Sequence, residues 1–417
     1  MLCLTQACSA ETQSPLLTFD QALNIAIRNN PQFKAEQARL HVWQAAVKTA
    51  GARPNPYLMT DNGIAERTYR LGVEQLLETG GKRRHRVDLA KTQLQFAQSE
   101  VNTRLLELRA NVRRAYTQLY NVQERQKTYQ NILTVTQELV DIAQKREQAG
   151  DIATLDVLQT EIINVNTNNE LQSIAVELTQ AQNHMNALLN QPLGHTLIVA
   201  PPNTTPQLEA STGPVSQTPS GPLLHGSVQV MDLNLDRLIQ TAIKRRPELK
   251  SNTIQLETAQ QEMSLAKANR IPNIRLAVGP DWVTGSGGAF GAFVVGNVEI
   301  PMFNRQQGPI LEALARKNQY NQEQEALKNK ITLEVTAAYT AFTGNQARVQ
   351  RYENQLLPYA VAVVEKSRRA FQEGKASILI PINAQDAYMR SRLGYLQALM
   401  DYQNAISDLE QAVGAGL

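Results

Sequence analysis

A seven-residue repeat of apolar side chains runs through the first half of the chain. Residues 82–149 contain no glycine or proline, and at about 1.5 Å per residue a helix over this span would be roughly 100 Å long. A sustained seven-residue period predicts the seam of a left-handed coiled coil, because it is slightly shorter than two natural helical turns. One row of the seam contains Val87, Leu94, Val101, Leu108, Ala115, Val122 and Tyr129. The other contains Leu105, Val112, Leu119, Leu133 and Val140, with Gln126 as an interruption.

A second helical pattern follows directly. Gly150 ends the first one, and residues 151–191 are again free of glycine and proline. Apolar residues recur there at spacings of three and four: Leu171, Ile174, Leu178, Ala181, Met185 and Leu188. We therefore predict a long helical hairpin over residues 82–190, with its tip at Gly150 and Asp151.

The chain contains an internal duplication. Residues 17–31 recur at 233–247 with an offset of 216 (247 − 31), and Val112 recurs as Val335 with an offset of 223 (335 − 112). Gly374 corresponds to Gly150 at the second tip. Two copies are too few for a solenoid, so we predict two similar halves, 17–190 and 233–417, related by pseudo-symmetry. The second helical hairpin spans residues 306–413, and the proline-rich residues 191–232 form a linker.

Each half also has one interval with the two-residue period of a β-strand. In the first, Tyr69, Leu71 and Val73 alternate with polar residues or glycine. In the second, apolar residues alternate over 274–282 and again over 292–300, and the glycine-rich residues 285–288 separate them. We predict two β-hairpins, at about 56–78 and 272–302.

Composition narrows the functional classes. Charged residues make up 19% of the chain and the net charge is +3, without the basic excess typical of nucleic-acid binding. Both cysteines, Cys3 and Cys8, lie in an apolar N-terminal segment rich in small residues. We interpret residues 1–16 as the remainder of an export signal. Lipidation of Cys8 and a disordered cytosolic start are the alternatives.

In its order of elements the chain resembles the TolC-type outer-membrane efflux factors. Each half begins with short helices, the last of which ends near an arginine and a proline, at residues 52–56 and 269–272. A β-hairpin, a very long helix, a tip with glycine and a return helix follow in that order. The likeness covers nearly the whole chain. Residues 77–83, followed by Arg86, are similar to the CzcC-like branch, whose members serve heavy-metal efflux.

This resemblance implies a mainly α fold with a small β part. The duplicated helical hairpins would form an α-barrel coiled-coil tunnel through the periplasm. The two β-hairpins would contribute to a twelve-stranded outer-membrane β-barrel of a homotrimer. The hairpin tips would meet a periplasmic adaptor of an inner-membrane pump.

The function implied is that of a passive conduit for solutes, with divalent heavy-metal cations as one candidate cargo. A multidrug or secretion channel is an alternative within the transport class. A soluble coiled-coil scaffold is the alternative from another class.

The hairpin tips are the first candidate site. The first tip matches the family's pattern of glycine followed by Asp-Val-Leu, whereas the second has residues 380–383 (Ile-Pro-Ile-Asn) where acidic residues are expected. We predict a less negative entrance with Asp156 as its main carboxylate. The alternative is that Asp156 only caps the return helix. The predicted adaptor contact and gate comprise Gly150, Asp151, Asp156, Gly374 and Lys375.

The second candidate site is a basic cluster of Lys82, Arg83, Arg84 and Arg86. It lies at a predicted helix start, where positive charge opposes the helix dipole, so we expect a compensating partner. The resemblance places it just below the membrane, near lipid phosphates. A solvated helix face is the alternative.

Sequence motifs give no support to catalysis or metal binding. The five histidines show no paired ligand spacing, so we expect no bound metal and no cofactor. Residues 285–288 resemble the start of a nucleotide-binding loop but lack the following Lys-Ser/Thr. We find neither a nucleophile elbow nor a zinc-protease signature, and predict that the protein is not an enzyme.

Overall fold

The computed structural model describes residues 16–63, 68–202, 234–284 and 288–414. Both halves have the same element order. The first half contains α1 (Phe19–Asn29), α2 (Pro31–Gly51), β1 (Tyr57–Gly63), β2 (Thr68–Leu77), α3 (Lys82–Gln148) and α4 (Thr154–Leu189). The second contains α5 (Leu235–Arg245), α6 (Pro247–Asn269), β3 (Ile274–Val283), β4 (Phe290–Val298), α7 (Gln307–Arg351), a π-helical turn (Tyr352–Leu356), α8 (Leu357–Gln372) and α9 (Leu379–Val413).

Some predicted features lie outside the described residues. They are most of the export-signal segment with Cys8, residues 203–232 of the linker, and residues 285–287 of the second β-turn.

Local capping explains why both halves begin alike. The Thr18 hydroxyl accepts a hydrogen bond from the Gln21 amide at 3.3 Å, and the Gln21 side chain accepts one from the Thr18 amide at 3.0 Å, which completes a capping box. At the equivalent position of the second half, the Asn234 side chain accepts from the amides of Asp236 and Arg237 at 2.9 and 3.2 Å. Thus α1 and α5 start with the same type of signal, an uncharged side-chain oxygen at the N-cap.

The four strands of the described residues form one antiparallel sheet in the order β1-β2-β3-β4. The register places Leu58 opposite Val73, Val73 opposite Val278, and Val278 opposite Val294. One apolar row therefore crosses all four strands. The central pair, β2 and β3, joins the two halves of the chain.

The chain divides into two compact units, and α2, α3 and α7 contribute to both. One unit comprises Ala35–Arg104 and Arg246–Lys330 and contains the sheet. Of the described residues, the other comprises 16–34, 105–202, 234–245 and 331–414 and is helical. In the helical unit the predicted seam is buried at Val112, Leu119 and Val122, and Val122 and Tyr129 pack on Ile174 of α4.

The start of the predicted linker is a packed segment. Leu17 and Val199 form an isolated parallel bridge, and Leu197 and Val199 are buried. The hydroxyl of buried Tyr116 lies 2.9 Å from the Leu17 carbonyl oxygen and 2.7 Å from that of Ala200. Residues 197–200 therefore belong to the helical unit.

A π-helical turn interrupts the second long helix, which the heptad pattern did not predict. Within it, the Glu353 carboxylate accepts a hydrogen bond from the Tyr395 hydroxyl of α9 at 2.9 Å. Burial raises the pKa of the Glu353 carboxyl. The turn thus places a polar contact between α9 and the junction of α7 and α8.

The predicted fold class is confirmed: the chain is mainly helical, with two long helical hairpins and a small antiparallel sheet. None of the helices in the described residues combines the length and the apolar character needed to span a membrane.

Candidate functional site

The sheet has two chemically different faces, because successive side chains of a strand point to opposite sides. One face is apolar, and its large side chains are solvent-exposed in the single chain. These side chains are Leu58, Tyr69, Leu71, Val73, Leu77, Ile274, Leu276, Val278, Phe290, Val294 and Val298. The rings of Tyr69 and Trp282 stack on this face at a centroid distance of 6.1 Å.

The opposite face carries charge. Arg70 lies 3.4 Å from the Asp61 carboxylate, and Arg275 lies 3.8 Å from the Glu74 carboxylate. Ala277 and Phe293 are buried between these pairs, and the Arg70 guanidinium is 5.8 Å from the centroid of the Phe293 ring. An exposed apolar face backed by a charged one is the reverse of a soluble sheet that covers a core.

The outer edges of the sheet are unpaired within the described residues. β1 pairs only with β2, and β4 pairs only with β3. Free strand edges offer their backbone N–H and C=O groups to another chain.

The two hairpin tips share one backbone motif. At the first, the Gly150 amide donates to the Glu147 carbonyl at 2.9 Å and the Asp151 amide donates to the Arg146 carbonyl at 2.8 Å. At the second, the amides of Gly374 and Lys375 donate to the carbonyls of Phe371 and Ala370 at 3.0 and 2.9 Å. Both are Schellman ends with glycine at positive φ, 82° at Gly150 and 71° at Gly374.

The tips pack against each other through a small apolar core. Buried Leu139, Ala143 and Val157 of the first hairpin contact buried Phe371 and Ile382 of the second, with Ile378 in the same cluster. The structure therefore brings Gly150, Asp151, Asp156, Gly374 and Lys375 to one end of the helical unit.

The carboxylates at this end differ from the prediction in detail. Ala153, not Asp156, is the N-cap of α4, and no side chain caps the helix there. Asp156 lies in the first turn, where a negative charge is favourable to the helix dipole. At the second tip, Lys375 donates to Glu373 at 2.7 Å. The sequence analysis missed Glu373, although its position directly before Gly374 could have indicated it.

An exposed apolar stripe follows the return helix of the first hairpin. Leu155, Leu158, Ile162 and Val165 occur at spacings of three and four, and all are at least half exposed. This stripe is distinct from the buried row of α4, which includes Val157, Ile174 and Ala181. Among the described residues of one chain, this stripe remains solvent-exposed.

The basic cluster separates into two pairs. Lys82 is only 8% exposed and donates to the Asn273 side chain at 2.6 Å. Arg86 forms a two-point ion pair with Glu78, at 2.6 and 3.1 Å, and also donates to the carbonyls of Ala50 and Ala52. By contrast, Arg83 and Arg84 are exposed.

Glu78 is the compensating partner expected for the cluster, and the sequence analysis did not identify it. The hydrogen bonds from Arg86 lower the pKa of the Glu78 carboxyl and raise that of Arg86. Burial lowers the pKa of Lys82. Arg86 thus holds the junction between β2 and α3 together, and Lys82 joins the start of α3 to Asn273 before β3. Arg83 and Arg84 are exposed, and the Arg84 side chain lies 3.8 Å from the Asp88 carboxylate.

No group of three or more potential metal-ligating side chains occurs in the part of the chain that the structure describes.

The model of the outer membrane efflux protein family matches residues 22–191 and 238–415, which together make up most of the chain. This protein belongs to that family. The predicted family and the predicted placement of this efflux protein in the outer membrane, extending into the periplasm, are therefore confirmed. The family is one of transport channels, not of enzymes.

Individual relatives agree with this assignment. The efflux protein is 22% identical over 401 residues to the cobalt-zinc-cadmium resistance protein CzcC of Cupriavidus metallidurans, covering 95% of this chain and 90% of that protein. Its fold matches the outer-membrane channel OprN with a TM-score of 0.74 at 17% identity, covering 95% and 90% of the two chains. It matches CusC with a TM-score of 0.72 at 18% identity, covering 99% and 96%. The predicted similarity to the CzcC-like branch is thus confirmed.

Proposed function

We propose that three copies of this protein form the outer-membrane channel of a tripartite efflux system and act as a passive conduit. The observation that carries this proposal is the sheet, whose apolar face is exposed and whose charged face is opposite. In a bilayer the apolar face would contact lipid and the charged face would line an aqueous path.

The free edges of the sheet support association of several copies. β1 of one copy can pair with β4 of the next, and three copies would close a sheet of twelve strands without an edge. Each half-exposed aliphatic side chain of the apolar face would gain on the order of 1 kcal/mol on leaving water.

The helical unit supports association independently. The exposed stripe of Leu155, Leu158, Ile162 and Val165 has the spacing of a coiled-coil seam. A neighbouring copy would cover it. The duplication of the chain would then give a trimer near-sixfold symmetry.

The tips are the proposed contact with a periplasmic adaptor. Their backbones are alike, so six similar ends per trimer would face the partner, which in turn belongs to an inner-membrane pump. Asp151 and Lys375 lie at these ends, Lys375 donates to the Glu373 carboxylate, and Asp156 lies in the first turn of α4. We propose that Asp156 contributes to cation preference at the entrance.

Divalent heavy-metal cations are the proposed cargo. The support is the similarity to CzcC, a cobalt-zinc-cadmium resistance protein, over most of both chains. The charged face of the sheet is compatible with hydrated ions.

The first experiment measures size and membrane partition. The protein would be expressed with a complete export signal, extracted from outer membranes and analysed in detergent by light scattering. We expect a protein mass of three times 46.3 kDa in the outer-membrane fraction. A soluble monomer or dimer would overturn the proposal and favour the scaffold alternative.

The second experiment tests the cargo. A strain that lacks its metal-efflux outer-membrane component would be complemented with this protein and grown with cobalt, zinc or cadmium salts, and separately with hydrophobic drugs. Restored tolerance to the metals alone is the expected result. Restored tolerance to drugs alone would overturn the metal assignment and leave the channel proposal intact.

A further inference from the structure

An exposed apolar segment follows the last strand of the sheet. Ile300, Met302 and Phe303 lie between β4 and α7, and their exposed fractions are 74%, 65% and 91%. Phe303 is the most exposed large apolar side chain of the described residues. Three such side chains within four residues are unusual on a water-facing surface.

The register locates this segment. Leu77, Ile274 and Val298 lie in one row across β2, β3 and β4. The chain therefore leaves β2 toward α3 and leaves β4 toward α7 at the same end of the sheet. The Glu299 carboxylate acts electrostatically on Lys82, which agrees with this placement.

Three exposed arginines and the exposed Glu299 lie at the same end of the sheet as the segment. Arg83 and Arg84 are exposed in the first turn of α3, and Arg305 is exposed two residues after Phe303. Lys82 and Arg86 hold this junction in place through Asn273 and Glu78. Exposed apolar side chains beside exposed guanidinium groups match the acyl chains and phosphates at the interface of a phospholipid bilayer.

We propose that residues 300–303 insert into the interfacial region of the membrane and that Arg83, Arg84 and Arg305 bind glycerophospholipid phosphates there. This inference rests on the proposed placement of the sheet in the bilayer. The segment begins two residues after Val298, the last residue of β4, which belongs to the apolar face of the sheet. The exposed guanidinium groups favour lipid as the occupant, because phospholipid headgroups present phosphates at the depth where the apolar side chains would enter the membrane.

Quenching of tryptophan fluorescence by brominated lipids tests the insertion. The chain has two tryptophans, Trp43 and Trp282. One protein would retain only Trp282 of β3 (W43F), and a second would carry only a new tryptophan in the segment (W43F, W282F, F303W). A third, with Tyr359→Trp in α8 in place of F303W, serves as an exposed control in the helical unit. Each would be reconstituted into vesicles whose phospholipids are brominated near the glycerol or near the methyl end.

The expected result is strong quenching of F303W by bromine near the glycerol, weaker quenching by bromine near the methyl end, and little quenching of Y359W. The inference would be overturned if Trp282 is quenched but F303W is quenched no more than Y359W. The proposed channel would stand in that case. A blue-shifted but unquenched F303W would show burial in protein and overturn it as well. If Trp282 is not quenched either, the proposed membrane placement of the sheet fails.

The arginines are tested with the F303W protein in mixed vesicles. At equal lipid fractions, brominated phosphatidylglycerol is expected to quench the tryptophan fluorescence more strongly than brominated phosphatidylcholine. The reason is that each arginine would enrich the anionic lipid around the segment by up to about fivefold. R83Q, R84Q and R305Q together should abolish this preference, whereas R39Q of α2, an exposed arginine paired with Glu36, should retain it. An unchanged preference in the triple variant would overturn the phosphate assignment.

Discussion

The guanidinium of Arg146 lies over the ring of Phe371, 4.4 Å from its centroid, and donates a hydrogen bond to the Phe371 carbonyl at 3.2 Å. Arg146 is in the last turn of α3 and Phe371 is near the end of α8, so one side chain joins the two hairpin tips. The same arginine contributes its own carbonyl to the Schellman end at Asp151. The backbone turn of one tip is thereby coupled to the position of the other.

Removing this contact should loosen the tips. We expect Arg146→Ala to lower the local stability of the tip by about 1 kcal/mol, because it removes a cation–π contact and a hydrogen bond. Hydrogen exchange of the amides at 150–151 and 374–375 should then be about fivefold faster. Arg368→Ala is the control, since its pair with Glu138 is half exposed on both sides and contributes little. Equal effects of both variants would contradict the coupling.

The ion pair between Glu78 and Arg86 should make stability depend on pH. The folded-state pKa of Glu78 lies below its ordinary value of 4.5. Its stabilising contribution is therefore complete above that value and is lost as the pH falls through the folded-state pKa. Glu78→Gln should be less stable at neutral pH by about 1–3 kcal/mol, and its thermal midpoint in detergent should fall less steeply below about pH 5. Asp88→Asn is the control, because it alters only the long 3.8 Å pair with exposed Arg84. Its thermal midpoint should depend on pH in the same way as that of the unmodified protein.

Two strand glycines should respond differently to the same substitution. A Cβ atom at Gly279 would lie 2.0 Å from the Leu71 carbonyl oxygen, whereas one at Gly296 would meet nothing within 4 Å. Gly279→Ala should push β2 and β3 apart and cost about 1–3 kcal/mol or more. We expect its yield of heat-modifiable trimer on gels to fall strongly, and that of Gly296→Ala to remain unchanged. Equal yields would show that the two central strands can separate at no cost.

A charge in the exposed stripe of α4 should prevent association. Ile162→Glu would bury one unpaired carboxylate per copy at the proposed contact, at a cost of several kcal/mol each. Light scattering in detergent should show monomers, while the helical content by circular dichroism stays the same. Asn168→Glu, which is also exposed on α4 but outside the stripe, should still form trimers. A trimeric Ile162→Glu variant would show that the stripe is not the contact.

Asp156 should influence ion selectivity at the entrance. Replacing it by Asn removes one negative charge per copy without changing side-chain size, and we expect a lower cation preference in planar bilayers. Asp141→Asn in α3, more than two turns before the first tip, is the matched control. An unchanged reversal potential for Asp156→Asn would rule out the proposed gate role.

The elements that the sequence revealed depend on residues close together in the chain. The alternation of Tyr69, Leu71 and Val73 predicts a strand with one apolar face, and glycine after a helix predicts its end. The sequence could not show that Lys82 points inward while Arg83 points outward. That outcome depends on which side of α3 faces Asn273, a residue 191 positions later in the sequence. Similarly, the Arg86 side chain donates one of its hydrogen bonds to the carbonyl of Ala50, 36 residues earlier in the sequence.

The π-helical turn at Tyr352–Leu356 explains a discrepancy between the two copies. Tyr352, the first residue of the turn, corresponds to Tyr129 at an offset of 223 (352 − 129), whereas the tip glycines correspond at 224 (374 − 150). The second copy therefore carries one additional residue between Tyr352 and Gly374, an interval that contains the turn. A π-helical turn accommodates one more residue than an α-helical turn, so it absorbs the insertion before the tip. Deleting one residue from 352–356 should therefore convert the turn to regular α-helix and leave the tip intact. The π-helical turn thus accommodates an insertion in the second copy while the second tip keeps the same Schellman geometry as the first.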